Sequence, residues 1–239
     1  MSYFDQQRKS YSRVKNFFVQ ELIGDLRGKR FLDYGCGAGL FVVHAAKNGA
    51  REIIGVDAEA SILSTATCFM NREGVTNRCK LILSEYFPAF DPDTVFDIIL
   101  LKDVIEHVED DGHLLTMAGE KTTSGGILVI STQNAFSLNY LTEGVYHRYL
   151  RGEKDWYGWD ETHVRFYTFM ELTRKLRHAG WRPVAWRSNY IIPHKSPLRP
   201  VPGRKIRRFE WLSHVDMTLG GRFPWNRCGW NLILKAVKI

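Results

Sequence analysis

The sequence predicts an α/β fold, a mostly parallel sheet with helices on both faces, and three observations carry that expectation. Phe31-Leu32-Asp33-Tyr34-Gly35-Cys36-Gly37-Ala38-Gly39 reads as a buried strand running into a glycine-dense turn that opens onto a helix. Apolar runs rich in β-branched residues, at 52–57, 80–84, 96–101 and 125–132, alternate with segments of helical spacing. Two of the expected strands, the one in the glycine-turn stretch and 52–57, carry an acid toward their carboxyl ends, Asp33 and Asp57, on the edge where open α/β sheets take their ligands.

The elements follow in order. Residues 1–28 form a helical preface, with Val14, Phe17, Phe18, Ile23 and Leu26 spaced for one apolar face. Tyr3, Phe4 and Tyr11 either cover a ligand from there or pack at the sheet edge. Lys29–Tyr34 is the first strand, and Leu40–Asn48 a helix that stops at Asn48-Gly49. Glu52–Asp57 is the second strand, Ser61–Asn71 a helix broken at Glu73-Gly74, and Lys80–Ser84 the third strand. Phe96–Leu101 is the fourth, and Lys102–Val108 a turn or helix after it. Asp110–Thr123 is the next helix, with Gly125-Gly126 as its stop and a fifth strand running to Thr132. Residues 135–165 read as irregular and aromatic, with Tyr140, Tyr146, Tyr149, Trp156, Tyr157 and Trp159. The stretch is too long for a plain connection and is expected to be a substrate lid. Phe169–Ala179 is a helix, and Trp181–Tyr190 and Gly229–Lys238 are strands. Between the strands lies an insertion, 187–228, whose first half is broken by Pro193, Pro197, Pro200 and Pro202 and whose Ile206–Leu219 is expected to be helical. No internal repeat or linker divides residues 1–239, which are expected to form one domain.

Composition narrows the function classes. Hydrophobic residues at 44% and charged residues at 25% exclude a disordered or fibrous chain. No run of about 18 apolar residues occurs and the first residues carry no apolar core, so the expectation is a cytoplasmic chain that spans no membrane. The four cysteines have no C-x-x-C spacing, which argues against zinc and against a disulfide framework. Cys36 lies near a helix N-terminus, where a thiolate is favoured, or else serves as a small side chain that fits. The charge is uneven: nine Lys or Arg face two acids in 187–228, while the rest balances at 24 against 24. That segment suits phosphates, an acidic substrate or a membrane surface, or is a solvated face.

Glycines 35, 37 and 39 let a flat ligand lie on bare peptide beside a helix N-terminus, as a nucleotide would. The dinucleotide pattern G-x-G-x-x-G would need glycine at position 40, which is Leu40. Asp33 instead suits an ammonium group, which S-adenosylmethionine carries. Asp33–Gly39 resembles the D-x-G-x-G-x-G signature of class I S-adenosylmethionine-dependent methyltransferases. Phe96–Val108, with its Glu106-His107, resembles the F-D…E-H block of the ubiquinone-biosynthesis-type and small-molecule methyltransferases, and 62 residues separate Gly35 from Asp97. His163-Val164-Arg165-Phe166-Tyr167-Thr168 is similar to a third block of that group, so the resemblance runs in motif order over roughly residues 30 to 182. Ser84-Glu85 stands where the family has a G-D-A-like turn, and Gln133 where it often has proline.

The resemblance implies a Rossmann-like seven-stranded sheet of order 3-2-1-4-5-7-6 with the seventh strand antiparallel. It places Asp33, Gly35, Cys36, Gly37 and Gly39 at the methionine half of the cofactor. Asp57 with Ala58 falls at the ribose, Glu85 with Tyr86 at the adenine, and Lys102 at the sulfonium end; Asp57 also suits a helix N-cap, compatible with the ribose role, and Tyr86 is equally an exposed loop tyrosine. A small-molecule acceptor, most simply an oxygen, would meet Arg165, Tyr146 and Trp156 of the lid, although a salt bridge with a neighbouring acid is the commoner use of an arginine such as Arg165. His107 and His163 are the candidate bases, each with a plainer alternative as a packing or lid-fixing residue. Glu106 would orient His107 or a helix end. Asp103, Glu106, His107, Asp110, Asp111 and His113 crowd one segment, but acids in a first helical turn are common and H-x-x-x-H spacing is absent, so no metal is expected. Two competing functions stand beside this one. An RNA methyltransferase would use 187–228 for phosphate, although no N/D-P-P-(F/Y) motif follows strand four; the other is a cofactor-binding module without turnover. Oligomeric state is not legible.

Overall fold

Alternating apolar residues in the strands fix the two faces of the sheet. The computed structural model describes residues 10–154, 156, 160, 162–192 and 211–239. Its strands are β1 (Arg30–Tyr34), β2 (Glu52–Asp57), β3 (Lys80–Leu83), β4 (Phe96–Lys102), β5 (Thr122–Gln133), β6 (Trp181–Asn189) and β7 (Asn231–Lys238). They form one seven-stranded sheet in the order β3-β2-β1-β4-β5-β7-β6. β1 to β5 are parallel, while β7 runs antiparallel to both β5 and β6. The order and the antiparallel strand are those the resemblance implied.

Phe31, Ile53, Ile98, Leu100, Val129 and Ile233 point to one face, where α1 (Ser10–Ile23), α2 (Leu40–Lys47) and α3 (Ala60–Arg72) bury their apolar stripes. Leu32, Ile54, Ile99, Leu101, Leu128 and Leu234 point to the other, against α4 (Asp111–Glu120) and α6 (Phe169–His178), with α5 (Leu138–Val145) lying between these two in sequence. Each fully buried Leu, Ile or Val is worth about 1.5–3 kcal/mol, so these two layers hold the sheet between them. Trp181, wholly buried, also satisfies its indole N–H on the Leu115 carbonyl at 3.0 Å, tying β6 to α4. α6 begins with a capping box between Thr168 and Glu171, which terminates the preceding extended segment.

Three expectations change. The helix expected over Asp110–Thr123 ends at Glu120, and β5 begins at Thr122, because Gly125 takes φ 71° inside the strand and does not serve as a helix stop. There the register with β4 shifts between Phe96 and Ile98, as a bulge requires. Residues 135–165 are not irregular throughout: α5 runs on into a π-helical turn, Tyr146–Leu150. The helix expected over Ile206–Leu219 is α7 (Leu212–Leu219); residues 206–210, like Tyr3 and Phe4, lie outside the described residues.

Candidate functional site

The carboxyl ends of β1, β2 and β4 meet around a cleft of about 550 Å³, lined among others by Tyr34, Gly35, Asp57, Ala58, Ser84, Glu85, Val104, His107 and Thr162. Gly35 sits at φ 78°, and a Cβ there would fall 2.3 Å from Val104 Cγ2, so both the turn and its neighbour demand glycine. Gly37 donates its N–H to Asp57 Oδ2 at 2.8 Å, and Glu59 N–H reaches Oδ1 at 3.1 Å. Asp57 is thereby held by backbone at the cleft edge while each oxygen keeps acceptor capacity for a ribose hydroxyl. Gly39 caps α2 in the left-handed region, and Cys36 and Gly37 complete the turn.

Asp33 lies 2% exposed in β1, and its Oδ2 has no hydrogen-bond partner among the described residues. Burial pushes its carboxyl up to about 7, against the pull of Lys102 and with a push from Asp57. An unpartnered buried carboxylate oxygen beside a glycine turn is what an ammonium-bearing ligand would satisfy, so these residues fit S-adenosylmethionine. Cys36 differs from the thiolate expectation: burial, then Asp33 and Asp57, push its thiol far up, and it is a neutral packing group. Glu85 lines the cleft, but Tyr86 is 75% exposed and does not. Lys102 turns from the cleft lining to Asp103 Oδ2 at 3.1 Å.

On the other side of the cleft the work is done by side chains from distant segments. Lys15 of α1, 7% exposed, pairs with Asp103 and donates to Asn231 Oδ1 at 3.1 Å. Asp103 takes φ 57° just after β4, held by Ser131, whose Oγ donates to its Oδ1 at 2.9 Å. Despite burial, Lys102 and Lys15 keep the Asp103 carboxyl well below its ordinary range, whereas burial lowers Lys15. Nothing in the sequence reading found Lys15. Its one signal was a charge beside Val14, Phe18 and Val19 on the buried stripe of the helix.

Glu106 is fully buried, and among the described residues neither carboxylate oxygen has a hydrogen bond of full geometry; burial, then Asp103, pushes its carboxyl up to about 8, against the pull of its own backbone, Lys15 and Thr132. His107 and His163 stand 4.8 Å apart, centroid to centroid, and ligand atoms of Glu106, His107 and His163 all lie within 4.8 Å of one another. The expectation of no metal rested on sequence spacing within one segment; the grouping arises because Val164 N–H bonds the Glu106 carbonyl at 2.9 Å, bringing 163 to 106. Thr162 Oγ1 contacts His107 Nδ1 at 2.9 Å and Asp160 Oδ1 at 2.6 Å.

The three residues expected to meet the acceptor each contact other side chains of the chain. Arg165 points its fork at Asp111, 2.9 Å away, and at the Glu109 carbonyl; Asp111 also receives Tyr167 Oη at 2.6 Å and Lys175 at 2.7 Å. Trp156 stacks on His147 at 4.5 Å and on Tyr140 at 5.8 Å. Tyr146 packs edge-on to His147 on the π turn.

This cleft, on this sheet, is the setting of a methyltransferase domain. The chain belongs to the family of that description, whose match runs over residues 3–185. It is 34% identical over 158 residues to the ubiquinone biosynthesis O-methyltransferase of Bradyrhizobium sp. (strain ORS 278), covering 63% of this chain and 57% of the relative. It is 30% identical over 162 residues to the protein of the same name from Neisseria meningitidis serogroup C (strain 053442), covering 65% of each. The chain thus spans somewhat under two thirds of the length of these relatives. An S-adenosylmethionine dependent methyltransferase from Mesorhizobium loti shares the fold with a TM-score of 0.64 at 14% identity, over 94% of this chain and 98% of that one. Magnesium protoporphyrin IX methyltransferase from Synechocystis PCC 6803, solved with bound SAH, does so with 0.63 at 13% identity, over 100% and 89%.

Proposed function

We propose that this chain is an S-adenosylmethionine-dependent methyltransferase acting on a hydroxyl of a small molecule. The observation that carries the reading is that His107 and Thr162 line the same cleft as Gly35, Asp57 and Glu85. When bound, S-adenosylmethionine supplies a methyl already activated by its sulfonium. Asp33 would take the ammonium, the turn at Gly35–Gly39 the methionine half, Asp57 the ribose hydroxyls and Glu85 the adenine edge. The protein's task is then alignment and proton removal.

The hydrogen bonds around His107 suit it to that removal. Thr162 has one hydroxyl proton, and it goes to Asp160, whose carboxyl it holds below its usual range. Thr162 Oγ therefore accepts from His107, which places the ring proton on Nδ1 and leaves the lone pair on Nε2. That is the tautomer of a general base for an acceptor hydroxyl. Thr162→Val should slow single-turnover methyl transfer roughly tenfold and shift its pH profile, with cofactor affinity unchanged. An unmoved profile would remove His107 from the role.

A second reading is favoured by the buried Glu106 beside the two histidines. Glu106, His107 and His163 offer one carboxylate and two imidazoles, a set that suits a divalent cation, and such an ion would lower the pKa of an acceptor hydroxyl. Titration of the metal-stripped enzyme with Mg²⁺, Mn²⁺ or Zn²⁺ separates the two. Turnover restored by metal, and a cation-dependent rise in melting temperature lost in Glu106→Gln, supports the cation; full activity in excess chelator supports the histidine base. The reading as a whole is tested by calorimetry with S-adenosylmethionine and by mass spectrometry of phenol and alcohol acceptors. Cofactor binding with no methylated product from any hydroxyl acceptor would overturn it.

A further inference from the structure

The segment that carries Thr162 and His163 reaches the cleft with no ladder to hold it. Residues 163–166 belong to neither helix nor strand. Among the described residues one peptide hydrogen bond joins them to the chain leaving β4, Val164 N–H on the Glu106 carbonyl at 2.9 Å. Yet His107 Nδ1 faces two oxygens of Thr162 at once, the hydroxyl at 2.9 Å and the carbonyl at 3.3 Å. Such a contact needs its two backbones fixed to within roughly 0.5 Å.

The fixing comes from one acid. Asp111, 3% exposed, opens α4 just after His107, so the chain that carries the imidazole also places the carboxylate. Arg165 Nη1 meets Asp111 Oδ2 at 2.9 Å and the Tyr167 hydroxyl donates to the same oxygen at 2.6 Å, while Arg165 Nη2 donates to the Glu109 carbonyl. Charge-assisted bonds from a planar guanidinium are directional, so they set position as well as energy. Tyr167, 1% exposed, is tied to β5 on its other side: its N–H donates to the Gln133 carbonyl at 3.2 Å, and its carbonyl accepts from Ala135 N–H at 2.9 Å. The segment is thus strung between β5 and Asp111. Lys175 meets the second oxygen, Oδ1, at 2.7 Å, but it projects from α6 and carries no part of the segment. None of these four side chains lines the cleft.

We propose that Asp111 is a positioning residue: through Arg165 and Tyr167 it holds Thr162 against His107 and so keeps the imidazole proton on Nδ1. A neutral imidazole otherwise exchanges between two tautomers, and only this one leaves the Nε2 lone pair free. The two blocks Glu106–Asp111 and His163–Thr168 then form one device that orients a single ring. An ion cluster serving stability alone would treat Arg165 and Lys175 alike, since both neutralise the same carboxylate. The geometry makes them unequal. The effect on rate rests on the reading of His107 as a base, whereas the effect on the tautomer does not.

The test is a long-range proton–nitrogen correlation spectrum of the full chain with nitrogen-15 histidine, in excess chelator and at a pH where imidazole is neutral. The ring signal lost in His107→Gln identifies His107. In the parent it is expected as the Nδ1–H tautomer alone. Arg165→Met and Tyr167→Phe should each bring in the Nε2–H form, Arg165→Lys should restore the parent signal in part, and Lys175→Met should leave it unmoved. Asp111→Asn should show the full effect; should it unfold, the half-exposed Arg165 and the isosteric Tyr167→Phe carry the same reading. Single-turnover methyl transfer should fall about tenfold in Arg165→Met, with S-adenosylmethionine affinity unchanged in calorimetry. A His107 signal that is unmoved in folded Arg165→Met and Tyr167→Phe, that moves equally in Lys175→Met, or that shows both tautomers in the parent would overturn the proposal. A tautomer that shifts as expected, in a chain that methylates no hydroxyl, would support the positioning role and break the reading of the cleft instead.

Discussion

The two halves of the cleft are built on different plans. On the β1–β2 side the ligand-facing surface is backbone: a left-handed turn, a peptide N–H fixing Asp57, and one buried acid. On the β4–β5 side it is a mesh of side chains brought from far apart, with Lys15 reaching Asp103 and Asn231 across 88 and 216 residues. A backbone cradle suits a ligand that is always the same, because peptide geometry hardly varies. A side-chain wall can be rebuilt by substitution for a different acceptor, which suits the half where relatives of one fold need to differ.

The comparison is open to attack at its strongest point first. Gly35→Ala adds a Cβ in the left-handed region and against Val104, and should cost about 4 kcal/mol and abolish cofactor binding. Gly35→Ala/Val104→Ala should recover only the packing part, which thermal unfolding and calorimetry will show. Next comes pH. Asp33 has a folded pKa of about 7 against 3.8, so its stabilising protonated form is fully present below pH about 4 and is lost as pH rises through about 7. The unliganded protein should lose on the order of 3 kcal/mol across that window on Asp33's account, and Asp33→Asn should flatten the denaturation profile. A profile unchanged by the substitution would mean that the acid is solvated.

Lys15→Met tests the side-chain wall. Asp103 keeps Lys102 and Ser131, so the cost should be about 2 kcal/mol, below the usual loss for a fully buried pair, and methyl transfer should fall more than cofactor affinity. Equal losses would assign Lys15 to both halves. The smallest expected effect is Asp57→Asn, which keeps the fold and one acceptor oxygen. Cofactor affinity should drop about tenfold, or 1.4 kcal/mol, in calorimetry.

These plans also explain what could be read in advance. Asp33, the glycine turn, Asp57 and Glu106-His107 are local: each sits within a few residues of a strand end, where spacing alone locates it. The sheet order came from motif resemblance and agrees with the pairing of β7 between β5 and β6. Lys15 was invisible because its role depends on a contact with Asp103, which no periodicity encodes. For Arg165 the letters left two uses open, an anionic acceptor or a salt bridge with a neighbouring acid, and the folded chain shows the second. Its fork suits an anionic acceptor, but Asp111, Tyr167 and Lys175 come together only in the folded chain and claim it. Gly125 shows a different limit, since a glycine that ends a helix and one that bends a strand look alike in a string of letters.

The placement of β7 bears on biosynthesis. Because, among the described strands, β6 meets the sheet through β7, a nascent chain still threaded through the ribosome at residue 230 holds two unsatisfied edges, those of β5 and β6. Any nonsense codon or protease cut just ahead of Asn231 would leave both edges bare on an otherwise formed sheet. Such a product is a substrate for chaperones and quality control more than a weakened enzyme.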